Sequence, residues 1–549
     1  MRLEIRQGSK ITEIIVEKEE EALSLLDILQ CHQIPVKADC GGIARCGKCR
    51  VQFLKEAPKA TEAEENTISK EELKAGWRLS CVTEARDGAV IYVPEIYEDA
   101  MEVQVGYVPQ KAIPEGASDT SMTKTSGEDK TRKEDEISGE DETVATQDAN
   151  YGVAVDIGTT TVAISLVNLT TKQIVDTYTT VNHQRRWGAD VIARIKAATE
   201  GALSDLMESI RSDLRKGIED LLKQNGLSVP VLMKIVIAGN TTMGHLFCGF
   251  PCDSLGVAPY TPVDISTIRR SAREIFGWEE SGAEVILLPG ISTYVGADIT
   301  AGMYVTGMHE SEEVSLLVDL GTNGEMAIGN KDRFMVTSTA AGPAFEGGNI
   351  SRGVAGVPGA ICHVHFEGDN IHTETIGGKT PVGLCGTGVI ETVFELQKNG
   401  WIDETGLLEE DYFDDGVSLA KDANGEDIVF LQQDVREIQL AKSAVRAGLE
   451  CLLLKFGVTY EEVSHVYIAG GFGYKMDLSK AAGIGMLPKE LLPKMQAVGN
   501  SSLGGAMAGL LGEQAVEEME QIVAKSKEVN LAMSKEFNDF YMDYMMFEE

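Results

Sequence analysis

The first 95 residues alternate between apolar and polar positions in a way that predicts a hairpin followed by a helix. The apolar positions of the predicted hairpin are Leu3, Ile5, Ile11, Ile14 and Val16. Apolar residues then recur at three- and four-residue intervals, which is helical spacing, at Ala22, Leu25, Leu26 and Leu29. Further strands are predicted at residues 51–53 and 89–93, so this part of the chain combines a small sheet with a helix.

The pattern of buried positions stops after residue 95 and resumes at residue 150. Residues 113–149 are rich in Ser, Thr, Glu, Asp, Lys and Gly and contain almost no large apolar side chains. Such a composition buries too little to offset its ordering entropy, so residues 96–149 are predicted to be a linker, largely disordered from about residue 113. A coil of about 35 residues spans roughly 30–35 Å. That reach would let the first domain swing between an electron donor and an acceptor, and a plain spacer explains the composition equally well.

Residues 150–522 alternate apolar strands with helical stretches and contain an internal repeat. Val-Ala-Val-Asp-Ile-Gly-Thr-Thr-Thr at residues 153–161 is echoed by Leu-Leu-Val-Asp-Leu-Gly-Thr-Asn-Gly-Glu at residues 316–325. The repeat predicts an α/β region of two similar subdomains that face one cleft. Residues 523–549 follow as an acidic tail rich in Met, Tyr and Phe, which is predicted to dock either on the body or on a partner.

The net charge of the chain argues against some classes of binding partner. The 549 residues include 49 Lys and Arg against 86 Asp and Glu, a net charge of −37. Nucleic acid would be repelled by such a surface, so we expect no nucleic-acid partner. No run approaches the roughly 18 apolar residues of a membrane span, and the first residues lack the apolar core of a signal peptide. We therefore expect a cytoplasmic protein with reduced thiols and no membrane partner.

Four of the ten cysteines have the spacing of iron–sulfur ligands. Cys40, Cys46 and Cys49 form C-x5-C-x2-C, and Cys81 follows after 31 more residues. Three close thiolates and one distant thiolate are typical of a 2Fe–2S cluster in a small α+β ferredoxin of the β-grasp fold. The loop also contains glycines that let the backbone curl round a bulky anion, namely Gly41, Gly42 and Gly47. Residues 1–95 are thus predicted to be a one-electron carrier.

Other polar and sulfur-bearing residues are expected to be structural. Three cysteines are predicted to be packed thiols: Cys31, Cys385 and Cys451. His363 and His365 share one face of a predicted strand, and with no third ligand in view they are expected on a surface strand. A further set flanks a predicted helix after residue 161 and is expected on a partner surface or a solvated face: Asn182, Gln184, Arg186, Asp190 and Arg194.

The two copies of the sequence repeat contain the residue types expected of a nucleotide-binding site. Each strand ends in an aspartate, Asp156 or Asp319, which can hold Mg²⁺ directly or through water. The following turns offer N–H and hydroxyl groups to phosphate oxygens: Gly158, Thr159 and Thr160 in the first, and Gly321, Thr322 and Asn323 in the second. A third turn after a strand, where a base and ribose could approach the backbone, contains Gly470, Gly471 and Gly473. Asp298 either orients an attacking water or caps a helix.

The three turns together resemble the phosphate-1, phosphate-2 and adenosine motifs of the actin, sugar-kinase and heat-shock ATPase superfamily. That resemblance implies a duplicated, ribonuclease H-like ATPase domain with ATP and Mg²⁺ as ligands. The whole chain resembles the ATP-dependent reductive activators of corrinoid proteins, which join a 2Fe–2S ferredoxin domain through a linker to an actin-like ATPase domain. The cysteines at 40, 46, 49 and 81 match that family residue by residue.

The resemblance implies an enzyme that uses ATP to reduce an inactive Co(II) corrinoid protein of a methyltransferase system to active Co(I). The cluster would deliver the electron from a low-potential donor, and the sequence leaves open whether the chain forms a homodimer. Other classes also combine such parts. A small-molecule kinase with a fused cluster domain, an activator of a radical dehydratase and a non-enzymatic redox sensor stay open at this point.

Overall fold

The computed structural model of the protein describes residues 1–7, 10–16, 23–32, 34, 36, 47–94, 150–368, 370–471, 473 and 475–547. Three of the predicted features lie outside these residues, namely the ligands Cys40 and Cys46, the glycines Gly41 and Gly42, and the linker 96–149. Within the described ranges, every helix is too short or too polar to cross a lipid bilayer.

The N-terminal part is a five-stranded sheet packed against a helix. Its elements are β1 (Arg2–Gln7), β2 (Lys10–Ile15), α1 (Leu25–Cys31), β3 (Arg50–Lys55), α2 (Glu62–Thr67), α3 (Lys70–Lys74), β4 (Trp77–Leu79) and β5 (Val90–Tyr92). The strand order is β2-β1-β5-β3-β4. β1 and β2 form the predicted antiparallel hairpin, while β5 runs parallel to β1. Most of the predicted apolar positions are buried in its core, for example Leu3, Leu25 and Val51, so the hairpin and helix predictions are confirmed. Ile11 of the hairpin is instead exposed, and Ala22 lies outside the described residues.

The second part, which begins at residue 150, is built on a six-stranded sheet. Its strands are β6 (Tyr151–Ile157), β7 (Thr161–Asn168), β8 (Gln173–Val181), β9 (Leu232–Gly239), β10 (Ile268–Ser271) and β11 (Glu284–Leu287). Its helices are α4 (Val191–Ala197), α5 (Leu203–Gln224), α6 (Thr241–Cys248), α7 (Asp253–Gly256), α8 (Ala272–Phe276) and α9 (Ala297–Val305). The strand order is β10-β11-β9-β6-β7-β8. The amphipathic helix α5 packs its apolar face on β7 and β8.

The third part contains a second six-stranded sheet and two small sheets. Its strands are β12 (Val314–Leu320), β13 (Gly324–Gly329), β14 (Phe334–Thr339), β15 (Ala360–Glu367), β16 (Asn370–Thr375), β17 (Gly383–Leu384), β18 (Val417–Lys421), β19 (Asp427–Phe430), β20 (Val463–Ala469), β21 (Met495–Gly499) and β22 (Ser526–Glu528). Its helices are α10 (Gly386–Lys398), α11 (Glu410–Phe413), α12 (Gln432–Phe456), α13 (Leu478–Gly483), α14 (Ser501–Leu511), α15 (Glu513–Lys525) and α16 (Lys535–Asp543). The large sheet has the order β21-β20-β12-β13-β14-β22.

The two large sheets repeat one topology, as the internal echo predicts. In each, three antiparallel strands form a meander, and two later strands add parallel to the first strand of that meander. The aspartates occupy equivalent positions, because Asp156 in β6 lies opposite Ala238 in β9 and Asp319 in β12 lies opposite Ala469 in β20. The duplicated α/β architecture is therefore confirmed.

Two buried helices connect the halves. Helix α14 packs on β6 and β9 of the first large sheet and on α9, which in turn contacts β12 and β13 of the second. The close approach requires small residues, since a Cβ atom on Gly505 would clash with Ala301 of α9. The two sheets are thus tied together beside the strand ends that carry Asp156 and Asp319.

The predicted tail, residues 523–549, docks on the body. β22 adds to the edge of the second large sheet beside β14, and α16 packs along α12. The buried Lys442 of α12 donates hydrogen bonds of 2.7 Å to the carbonyls of Tyr544 and Met546. Phe547 is only 3% exposed and lies against the same ammonium group. Of the two predicted docking places, the structure shows the body.

We expect Phe547→Ala to lower the free energy of unfolding by about 3 kcal/mol, because it removes a buried ring without a replacement. The measurement is equilibrium denaturation of the full chain. Met546→Ala is the matched control, since that side chain is 44% exposed and should change stability by no more than about 0.5 kcal/mol. Equal stabilities of the two variants would contradict the docking described above.

Candidate nucleotide and cluster sites

The first predicted phosphate turn follows β6 and is held by main-chain geometry. The N–H of Gly158 donates to the carbonyl of Thr161 at 3.0 Å. A Cβ atom at Gly158 would lie 2.7 Å from that same oxygen, so the turn can close only around glycine. Thr159 and Thr160 follow at the tip, where hydroxyl and N–H groups can meet an anion.

Two buried side chains, Arg194 and Asn182, and the half-buried Asn240 support this turn from behind. Arg194 is fully buried and donates from Nη2 to the carbonyl of Thr159 at 2.6 Å. Asn182 donates to the carbonyl of Gly158 at 2.9 Å, and Asn240 donates to the Thr159 hydroxyl at 3.0 Å. Burial lowers the pKa of Arg194 to about 9. The expectation of a solvated or partner face for Asn182 and Arg194 is therefore wrong, because both are enclosed beneath the turn.

Asp156 is hydrogen-bonded by residues far along the chain. The hydroxyl of Ser502 donates to Oδ1 at 2.7 Å, and the amide of Asn500 donates to Oδ2 at 2.8 Å. Asn500 also caps α14 by accepting from the N–H of Leu503. The carboxylate of the first half is thereby fixed to the helix that joins the halves. The sequence pattern gave no sign of this contact, which spans about 345 residues.

The second predicted phosphate turn mirrors the first. The N–H of Gly321 donates to the carbonyl of Asn323 at 3.0 Å, and the amide of Asn323 donates to Glu325 at 3.2 Å. The Thr322 hydroxyl donates to Glu346 at 3.0 Å. Two acidic residues thus belong to its surroundings: Glu325, which ends the second repeat at residues 316–325, and Glu346, which lies in the small-residue-rich stretch 338–348.

The third predicted turn lies directly against the second. Gly470 has a positive φ of 94°, and a Cβ atom there would clash with the carbonyl of Leu320 and approach Asp319 Oδ1 to 2.9 Å. Gly473 is buried, whereas a Cβ atom on Gly471 would meet no atom of the described residues within 4 Å. The structure thus brings the second and third turns to one place, and within the described part of the chain the backbone at Gly471 is open to the approach of a flat group.

Four carboxylates with raised pKa values line the cleft. Burial, together with the charges of Asp298 and Asp156, raises the pKa of Asp319 to about 8. Burial and the charge of Asp156 raise the pKa of Asp298 to about 7, although the N–H of Ile299 counteracts this. The pKa values of Asp156 and Glu325 are also raised, chiefly by burial. Carboxylates that repel one another in this way provide a favourable position for a divalent cation.

The donor set fits Mg²⁺ that is shared with phosphate rather than a cation enclosed by protein ligands. Among the described residues, no three His, Cys, Asp or Glu side chains converge in metal-binding geometry. Mg²⁺ usually keeps several waters and takes one or two carboxylates together with phosphate oxygens. Asp156 and Asp319, on equivalent strand ends, are the residues that would hold it.

Asp298 lies in the first turn of α9 and accepts the N–H of Ile299 at 2.9 Å. Main-chain hydrogen bonds from Asp298 itself and from Gly296 also lower the pKa of this carboxyl, so the group interacts with the main chain at the start of α9. Its charge acts on Asp319 and Glu325, so the carboxylate belongs to the cleft. Its role in orienting water stays a prediction.

The two described cluster ligands lie side by side. The sulfurs of Cys49 and Cys81 are 3.2 Å apart and both residues are buried. Cys49 lies just before β3 and Cys81 just after β4, and these strands pair directly. The N–H and hydroxyl of Ser80 both donate to the carbonyl of Cys49, at 2.9 and 3.0 Å. Two sulfurs at this separation can bind one iron ion, so the described residues fit a 2Fe–2S cluster.

The other cysteines and histidines that the sequence analysis named lie outside the two candidate sites. Cys385 and Cys451 are buried as predicted, but Cys31 is exposed at the end of α1, so its predicted packing is wrong. His363 and His365 lie on β15 as predicted, and each faces a buried glutamate of α10.

We expect Asp319→Asn to stabilise the metal-free protein, and to do so more at pH 8 than at pH 5. The pKa of Asp319 is about 8 in the folded protein against an ordinary 3.8, so the folded state binds more protons between these values. Stability must therefore fall as pH rises through this range, and the neutral amide removes that loss, by roughly 1–2 kcal/mol after solvent screening.

The measurement is chemical unfolding in a chelator at the two pH values. Asp332→Asn, at an exposed position, is the control and should leave the pH dependence of the wild type in place. If Asp319→Asn retains the wild-type slope of stability against pH, the electrostatic account of the cleft is incorrect.

For the cluster, we expect Cys49→Ser and Cys81→Ser to lose the visible absorption and the reduced-state EPR signal of a 2Fe–2S centre after reconstitution, because each removes a thiolate ligand. Cys31→Ser is the matched control, nearby in sequence but exposed, and it should bind a full cluster. If both ligand variants bind a complete cluster, Cys49 and Cys81 are not its ligands and other residues hold the iron.

Comparison with known proteins accounts for all three parts of the chain. A 2Fe-2S iron-sulfur cluster binding domain matches residues 8–86, the RACo middle region matches residues 151–311, and the C-terminal domain of RACo, the ASKHA domain, matches residues 313–549. These matches confirm the predicted ferredoxin domain and ATPase fold, and with them the 2Fe–2S cluster, ATP and Mg²⁺ as cofactors.

Three similar proteins carry names that refer to the activation or reduction of corrinoid proteins. The corrinoid activation enzyme RamQ of Eubacterium limosum is 32% identical over 418 residues, covering 72% of this chain and 70% of that protein. The [Co(II) methylated amine-specific corrinoid protein] reductase of Methanosarcina barkeri is 29% identical over 425 residues, covering 71% and 76%. The solved structure of a reductive activator for corrinoid,iron-sulfur protein is 28% identical, with a TM-score of 0.68, over 99% of this chain and 98% of that one. The chain therefore belongs to the family of reductive activators of corrinoid proteins.

Proposed function

We propose that this protein uses ATP to reduce the Co(II) form of a corrinoid protein of a methyltransferase system to Co(I), with the electron delivered through its 2Fe–2S cluster. The observation that supports this most is the combination, in one chain, of the paired sulfurs of Cys49 and Cys81 with two equivalent phosphate turns at one cleft. An electron carrier and a nucleotide-dependent device are the two parts that an uphill one-electron reduction requires.

The need for ATP follows from the energetics of the electron transfer. A plant-type 2Fe–2S cluster has a potential near −400 mV, and each 59 mV of deficit against its acceptor costs a factor of about ten in equilibrium. ATP closes such a gap if its presence changes how the protein binds its corrinoid partner. A cleft between two sheets that are joined by packed helices is a suitable two-state element.

In this proposal the cleft residues have separate roles. Asp156 and Asp319 would hold Mg²⁺, directly or through water, together with phosphate oxygens of ATP, and Asp298 would orient the water that attacks the terminal phosphate. The phosphates bind at Gly158, Thr159 and Thr160 on one side, and at Gly321, Thr322 and Asn323 on the other. Adenosine lies against Gly470, Gly471 and Gly473. The cluster supplies one electron at a time when it is bound, and Cys40 and Cys46 complete its ligand set.

The proposed roles of the two domains also define the partners that the protein needs. A low-potential electron donor reduces the cluster domain, and the linker 96–149 lets that domain reach the corrinoid protein after it has been reduced. The proposal requires neither a second copy of the chain nor a membrane.

The test is optical and uses the complete protein, anaerobic, with its cluster reduced by a chemical donor. After mixing with a Co(II) corrinoid protein, addition of Mg-ATP should produce the Co(I) absorption band. Asp319→Ala should lower the rate of its appearance by at least about tenfold, since loss of a group that orients a metal typically costs 10- to 100-fold. Cys49→Ser should abolish it, whereas Cys31→Ser should retain it.

Failure to form Co(I) with several corrinoid proteins, together with ATP turnover stimulated by a small polyol, would instead indicate a small-molecule kinase. Formation of Co(I) at the same rate without ATP would show that the reduction does not require the nucleotide.

A further inference from the structure

Glu346 connects the two phosphate turns across the cleft. It ends the short helix Pro343–Glu346, which belongs to neither turn. Its Oε2 atom accepts a hydrogen bond from the hydroxyl of Thr160 at 3.1 Å and another from the hydroxyl of Thr322 at 3.0 Å. One oxygen of one side chain therefore receives a donor from each half of the protein.

Two hydroxyls that converge on one anionic oxygen also suit a phosphate oxygen, which is an acceptor of the same charge. Thr160 and Thr322 are the residues to which the proposed function, on which this inference rests, assigns phosphate contacts. A carboxylate and a phosphate group cannot both occupy that position, because they would compete for the same donors and repel each other.

Opposing effects act on an anion at the position of Glu346. Burial raises the pKa of the Glu346 carboxyl, whereas the hydroxyls of Thr322 and Thr160 and the positive charge of Arg194 lower it. Arg194 is fixed beneath the first turn by its bond to Thr159, and its charge would act equally on a phosphate group in the same place. The two hydroxyl donors and Arg194 are therefore the groups that a phosphate would share with the Glu346 carboxylate.

The segment that carries Glu346 is built to turn at both ends. Gly342 and Gly347 flank the short helix with positive φ angles of 76° and 77°, where a side chain would be strained. A Cβ atom on Gly342 would meet no described atom within 4 Å, whereas one on Gly347 would clash with the carbonyl of Val354. Phe345 is buried and the short helix contacts α10 and α12, so withdrawal of the carboxylate by movement of this segment also shifts its contacts with those two helices.

We propose that the Glu346 carboxylate occupies the place of a nucleotide phosphate oxygen in the nucleotide-free cleft and is expelled when ATP binds. Glu346 is thus an internal competitor of the nucleotide, and it holds the two halves together until ATP takes over its two donors. Movement of residues 342–347 then signals the nucleotide state to the surface around them.

The test compares nucleotide affinities of the complete, cluster-loaded protein and its Glu346→Gln and Glu346→Ala variants by titration calorimetry. When a competing state dominates, apparent affinity is reduced by the fraction of molecules free to bind. We expect both variants to bind Mg-ATP about three- to tenfold more tightly than the wild type, and to bind adenosine, which has no phosphate, with unchanged affinity. Glu395→Gln, at a buried glutamate that accepts the N–H of Phe366, is the matched control with wild-type affinity.

Weaker or unchanged ATP binding in both Glu346 variants, while the wild type binds ATP, would overturn the competitor role and leave the nucleotide site in place. Absence of ATP binding to the wild type itself would overturn both the competitor role of Glu346 and the proposed nucleotide site. Hydrogen exchange of the wild type gives a second readout that needs no variant. Amides of residues 342–347 should exchange faster with Mg-ATP than without it, and slower or equal exchange would contradict expulsion.

Discussion

The arrangement of the nucleotide part depends on the mutual repulsion of carboxylates at the ends of two equivalent strands. Asp156 and Asp319 occupy the same position in two copies of one topology, and Asp298 adds a third charge nearby. Burial raises the pKa values of all three, and repulsion adds to the increase for Asp298 and Asp319, so the cleft is unfavourable for a fully ionised, metal-free state. A cation bound with a nucleotide relieves that cost, and this gives the two nucleotide states different energies.

The contacts around these carboxylates connect that energy difference to the rest of the molecule. Asp156 is hydrogen-bonded to Asn500 and Ser502 at the start of α14, and α14 packs on both the first large sheet and α9. A change in charge at Asp156 therefore acts directly on the helix that joins the halves. Glu346 also connects Thr160 of the first turn with Thr322 of the second. The proposed function places the contacts of both Asp156 and Glu346 beside phosphate or its cation.

The sequence predicted the parts of this site that are local in the chain. The cysteine spacing, the strand–Asp–Gly-Thr turns and their repetition follow from short patterns, because a turn that closes only around glycine leaves a readable signature. The groups that complete the site are distant in sequence. The small-residue-rich stretch 338–348 around Glu346 is typical of a loop beside phosphate or a partner. The contacts of Glu346 and Ser502 form only after folding, so the sequence did not indicate them.

Misread residues have a similar explanation. Arg194 and Asn182 looked like a solvated face because charged and polar residues usually are exposed. Burial of Arg194 is made favourable by three main-chain and side-chain acceptors that only the folded turn provides. The docking of residues 523–549 was left open for the same reason, since the carbonyl groups bound by Lys442 carry no sequence signal.

The most direct test of the central claim is the affinity of the protein for a Co(II) corrinoid protein, measured with and without Mg-ATP under anaerobic conditions. Coupling between nucleotide and partner requires that the two affinities differ, and the account predicts a difference of at least about tenfold, within the usual range of coupling energies of about 1–3 kcal/mol. Equal affinities in the two conditions would contradict it, because a nucleotide that does not discriminate between partner-bound and free states cannot drive the reduction.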